Sequence, residues 1–178
     1  MTAIKPNFLF FAVRDGTILL AAALLWLGLA EGHTTHTAKV DFFGFVLGAA
    51  LVLSAHLVHE WGHVLGGFAS KSVMAPGKHF SSFSIFEYSS ARNSVAQFLL
   101  MSFSGFALTA VVLWFCFTVL PDGYLATHIA RGYAVLQVIL ALTLELPLVF
   151  SAILRRKIPA IENRPDFRAY IPQALRQR

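Results

Sequence analysis

Residues 42–68 read FFGFVLGAALVLSAHLVHEWGHVLGGF, an apolar run long enough to cross a bilayer that nevertheless carries His56, His59, Glu60 and His63. An ionisable side chain at bilayer depth costs on the order of 2.5–3.5 kcal/mol on insertion scales, so polar groups kept there point to a function. His59 and His63 are four positions apart and project from one face of a helix, with Glu60 beside them. That is the spacing at which two imidazoles reach one zinc ion while the carboxylate stays off the metal as a proton shuttle. At about 100° per residue His56 falls on the same arc, where it would ligate too or support the ligands. A blander reading, a polar stripe hydrogen-bonded to neighbouring helices, leaves unexplained why the residue types are those of a zinc site.

Three further apolar segments flank this one, at about residues 16–32, 97–120 and 129–154. The chain has 178 residues, of which 57% are hydrophobic and 13% charged, and its mean hydropathy is +0.67. A soluble domain carries about 25% charged residues. The expected fold is therefore an all-α membrane protein, a single integral domain of four transmembrane helices. Gly28-Leu29-Ala30 has the small residues of a signal-peptide cleavage site, but an uncleaved first helix is preferred. Ahead of it runs a mildly basic lead whose Phe8, Phe10 and Phe11 suit the interface. The single cysteine, Cys116, rules out an intrachain disulfide.

The connections add detail. Glu31 to Asp41 is a polar loop with His33 and His36, and Gly44 with Gly48 forms a small-xxx-small pair for close helix packing. Residues 69–96 form the one long connection. Within it Phe80 to Tyr88 has β-prone aromatics in partial alternation, the pattern of a short β-hairpin or re-entrant segment, with a plain loop as the alternative. Pro121-Asp122-Gly123 is a turn sequence. The tail, residues 155–178, holds three prolines and seven Lys or Arg, which suits anionic lipid headgroups.

Four spans place both termini on one side. Lys5, Arg14, Lys71, Lys78, Arg92 and the seven basic tail residues fall there, 12 of the 14 Lys and Arg. Only Lys39 and Arg131 lie opposite. The positive-inside rule makes both termini and the long loop cytoplasmic. The formal charge of +5 follows topology and does not call for nucleic acid.

A zinc site of this kind needs a third protein ligand and an open position for water. His63 stands eight residues before Lys71, about 12 Å at 1.5 Å per residue, and Glu145 ten residues before Arg155, about 15 Å. The two share a depth on helices running the same way. Glu145 is the only carboxylate in the fourth span and becomes the expected third ligand. Asp122 and His128 belong to the opposite interface.

The stretch His59-Glu60-Trp61-Gly62-His63-Val64-Leu65-Gly66-Gly67 resembles the first motif of the site-2 protease family of intramembrane zinc metalloproteases. Ser104-Gly105-Phe106-Ala107-Leu108-Thr109 is similar to the Gly-x-x-x-Asn element of that family, and the Phe-rich loop occupies the place of its membrane-associated hairpin. The resemblance covers about residues 42–154. Thr109 stands where the family prefers asparagine and Phe106 where proline is frequent. The family's third ligand is the aspartate of an Asp-Gly pair, where this chain has Glu145-Leu146-Pro147.

The resemblance implies an endopeptidase that cuts a membrane-spanning protein substrate near the cytoplasmic face. His59, His63 and Glu145 would hold Zn²⁺, and Glu60 would be the catalytic base. Thr109 would hydrogen-bond the unwound substrate, and the Phe80–Tyr88 segment, with Phe83 and Ile85, would pair with it as an added strand. Two rivals stand beside this. One is a non-catalytic, protease-like accessory subunit of a larger membrane complex, for which the departed third motif speaks. The other is b-type haem ligation by some of His33, His36, His56, His63 and His128, which needs two histidines facing each other at one depth.

Overall fold

The computed structural model describes residues 7–30, 38–78 and 84–160. The chain runs through α1 (Phe8–Ala30), α2 (Ala38–Ala69), β1 (Met74–Pro76), β2 (Phe86–Tyr88), α3 (Val95–Thr118) and α4 (Leu125–Leu140). A π-helical turn (Ala141–Glu145) then leads into α5 (Leu146–Arg155). Among the described residues, four helical stretches are long and apolar enough to cross a membrane, at Phe8–Gly28, Phe42–Ala69, Val95–Thr118 and Leu125–Arg155. The multi-pass, helical expectation holds at that level. His33, His36, Phe83 and the tail beyond residue 160 lie outside the described residues.

Helix α2 is the centre of the bundle, with α1, α3 and α4 packed around it. Glycines set the closeness of these contacts. A Cβ on Gly44 would lie 3.3 Å from Leu125 Cβ, and one on Gly48 would lie 2.7 Å from Ile129 Cδ1, so the expected small-residue pair faces α4. Farther along, a Cβ on Gly62 would lie 2.8 Å from the Ser104 carbonyl, and one on Gly66 would lie 2.5 Å from Ser104 Oγ. The stretch carrying the histidines is thereby pressed backbone to backbone against α3. In lipid, where burying apolar surface drives little association, such packing is a main source of cohesion.

Helix α1 starts at Phe8, earlier than the expected boundary near Gly16. The charges read as a polar lead are inside the helix and neutralised there. Arg14 Nε lies 2.6 Å from Asp15 Oδ1, and Trp61 Nε1 donates to Asp15 Oδ2 at 2.8 Å. Phe11 is likewise not interfacial: it is fully buried against Val64 and Ile85.

The hairpin is present as two three-residue strands paired antiparallel, with Met74 opposite Tyr88 and Pro76 opposite Phe86. Its base is braced by Asn93, which accepts from Val73 N at 2.6 Å and donates to Val73 O at 3.0 Å and Ser89 O at 2.8 Å. Helix α2 ends with Ser72 N bonded to Gly67 O and Lys71 N to Phe68 O, a Schellman end whose left-handed residue is Lys71 at φ 54°. Gln97 completes a capping box with Ser94 and sends its amide to Ser70 O and Lys71 O, both at 3.1 Å. One side chain thus ties the end of α2 to the start of α3 and fixes where the hairpin leaves the bundle.

Candidate metal centre

His59 and His63 sit on the α2 face that meets α3 and the π-helical turn. Their Nε2 atoms are 3.2 Å apart. Glu145 closes the group: its Oε1 lies 3.2 Å from His59 Nε2 and its Oε2 3.4 Å from His63 Nε2. One donor atom from each of the three residues lies within 4.8 Å of the other two. Glu145 therefore stands where the depth argument placed it.

The π-helical turn explains how a glutamate before a proline gets there. Pro147 has no N–H, so a regular helix would lose a backbone bond at this point. The chain instead takes an extra residue into the turn, with Leu146 N reaching back to Ala141 O, and α5 restarts with the proline in its first turn. Such single-turn π bulges recur at functional sites. Here the bulge ends on Glu145, and the local helix break comes without glycine.

The second bond of each imidazole decides what the Nε2 atoms can do. His63 Nδ1 is 3.1 Å from the Met101 carbonyl, which only accepts, so Nδ1 carries a proton and Nε2 is the atom left to face Glu145. His59 Nδ1 is 2.8 Å from Thr109 Oγ1, and that hydroxyl donates to Gly105 O at 3.2 Å. Its proton being used, it accepts from His59 Nδ1, which leaves His59 Nε2 to face Glu145. Two imidazole Nε2 atoms and a carboxylate then converge on one point, an arrangement that needs a proton or a metal cation between them. The donor set, two histidines fixed through their far nitrogens plus a carboxylate, fits a metal ion.

Three expectations need correcting or placing. Thr109, expected to hydrogen-bond a substrate backbone, has its hydroxyl engaged by His59; it orients the ring instead. Ile85, expected to contact substrate, lies just before β2 and is fully buried with Phe11 of α1 and Val64 of α2. His56 does not belong to the three-residue cluster.

Sequence reasoning passed over Gly105 as a spatial requirement. A Cβ there would lie 2.5 Å from both ring nitrogens of His63, so the imidazole occupies the space that glycine leaves. The signal was a glycine in the middle of an apolar helix, where it costs helix stability unless something needs the room.

Glu60, His63 and Glu145 form one wall of a cavity of about 430 Å³. Gly77, Ser84, Phe86 and Tyr88 of the hairpin, Phe98, Met101 and Ser102 of α3 and Leu148 of α5 form the rest, together with the exposed pair Lys78 and Glu87, 3.1 Å apart. His59 and His63 are nearly buried, at 8% and 10% side-chain exposure, whereas Glu145 keeps 32%. The centre is therefore reached from the Glu145 side, past the hairpin. Comparison with protein-family models, with curated proteins and with solved structures found no match. The case rests on this geometry.

Proposed function

We propose that the chain is an intramembrane zinc endopeptidase that cuts a membrane-spanning protein near the cytoplasmic face. The observation that carries this reading is the convergence of His59 Nε2, His63 Nε2 and the Glu145 carboxylate, with both Nδ1 atoms already committed. The resemblance of residues 59–67 to the site-2 protease motif points the same way.

Zinc held by these three residues would supply Lewis acidity, polarising a peptide carbonyl and acidifying water. The chain's own residues do the rest. Glu60 borders the same cavity without belonging to the ligand cluster, and its carboxylate would take a proton from water and return it to the departing amine. Thr109 and Met101 O hold the two imidazoles in the tautomer that binds metal. The apolar wall of Phe98, Met101 and Leu148 sheds bulk water around a bound segment.

The hairpin suits an extended substrate. Gly77 N bonds Ile85 O and Ser89 N bonds Val73 O, so Phe86 and Tyr88 turn their backbone amides to the outer edge of β2. The outer edge of β1 is blunted by Pro76, which has no N–H to offer. That leaves β2, a wall of the cavity, as the edge for strand addition.

The test is cleavage of a co-reconstituted single-span protein by the full chain in lipid vesicles. A fragment ending near the cytoplasmic boundary, lost with a zinc chelator and restored by zinc, is the expected result. Cleavage that persists in chelator, or none at all with zinc present, would overturn the reading and favour a non-catalytic subunit.

Orientation rests on charge: Lys71, Lys78, Arg92 and Arg155 gather at the hairpin end, and Lys39 and Arg131 at the other. Lys157 is exposed just beyond α5, and Cys116 is buried. In a Cys116→Ala background, Lys157→Cys should react with a membrane-impermeant thiol reagent from the cytoplasmic face alone. Labelling from outside would reverse the topology and the side on which products leave.

A further inference from the structure

Glu60 borders the cavity, yet its Oε2 is sealed from solvent and has no hydrogen-bond partner. On α4 the same situation recurs. Gln137 is 4% exposed and neither its Oε1 nor its Nε2 has a partner. In helices surrounded by lipid, a buried polar group left unmatched is costly, because no solvent is there to satisfy it. Two such atoms on one amide are a strong demand for a ligand, and internal water is the usual one.

The helix register brings the two residues to within about one turn of the same depth. Gly44 packs on Leu125 and Gly48 on Ile129, and both helices run the same way. Eight residues further along each stand His56 and Gln137, which the register sets at one depth. Glu60 is one turn beyond His56 toward the cavity, about 6 Å along the axis. Ala134 and Ala130, one and two turns before Gln137 on α4, belong to a buried cluster with Ala55 of α2 and Val112 and Cys116 of α3.

We propose that the chain binds internal water between Glu60 Oε2 and Gln137, and that Gln137 is a positioning residue for the Glu60 carboxylate. The Gln137 amide N–H donates to the water, and the water donates to Oε2. The buried oxygen is thereby fixed, and the other is presented to the cavity. The water site stands on the unmatched atoms alone; its consequence for rate rests on the proposed role of Glu60.

Water-edited solid-state NMR of the full chain in bilayers tests the site without any cleavage assay, the Gln137 side-chain amide being assigned by its loss in Gln137→Leu. Rapid transfer of water magnetisation to that amide is the expected result. No transfer, together with a higher melting temperature for Gln137→Leu, would mean a dry amide and overturn the proposal. In the cleavage assay Gln137→Leu should lower kcat by about 10-fold or more, toward the 10²-fold that a ~1 Å misplacement costs, with KM and zinc content unchanged. Gln137→Asn, which keeps the amide, should recover part of the loss. A kcat unchanged in Gln137→Leu would overturn the positioning role even where water is found.

Discussion

Glu60→Gln is expected to leave the fold and the metal content in place while lowering cleavage by 10²–10⁴-fold, the usual cost of losing a general base. The amide matches the carboxylate in size, so the packing of α2 between α3 and α4 should not change. What is lost is the capacity to accept a proton. Glu60 is not among the three clustered residues, which is why zinc content should hold. Measured together, zinc content and kcat separate the two roles. A variant that keeps full activity would remove Glu60 as the base, and one that loses its zinc would make it a ligand.

Gly105→Ala should be as damaging by a different route. The added methyl would stand 2.5 Å from both nitrogens of the His63 ring, with the Gly62 backbone pressed close beside it. Either the ring rotates away from Met101 O and Glu145, or α3 moves off α2. Overpacking of this kind costs about 1–3 kcal/mol in stability. Displacing an oriented ligand should weaken metal binding by about 10–100-fold. Ala107→Gly, two positions away on the exposed side of the same helix, should leave metal binding unchanged. Zinc titration of the two variants decides it, and normal affinity in Gly105→Ala would mean that His63 is not a ligand.

Much of this was legible in the sequence because the membrane restricts what a chain can do. Apolar runs of spanning length gave the four helices, and the distance of each polar residue from the next basic boundary set its depth. That alone paired Glu145 with His59 and His63. What sequence patterns do not carry is which side of an element meets which neighbour. Ile85 lies in an alternating segment, but alternation does not say which face turns inward, and the side carrying Ile85 packs onto Phe11. Thr109 was on the right helix and at the right depth, yet its partner proved to be His59 Nδ1. Arg14 and Asp15 look like the end of a helix until Trp61 supplies a hydrogen bond from another segment. The π-helical turn at Ala141–Glu145 depends on how α4 and α5 both fit the bundle. Pro147 marked the place but not the form.

The central claim is that His59, His63 and Glu145 bind zinc. X-ray absorption with elemental analysis on the purified full chain tests it most directly, with Glu145→Ala as the comparison. The account predicts one zinc per chain with nitrogen and oxygen ligands at about 2.0–2.2 Å, and a markedly lower zinc content in the variant. Protein without zinc, which would leave a shared proton to hold the three residues together, or a haem absorption band in its place, would contradict it.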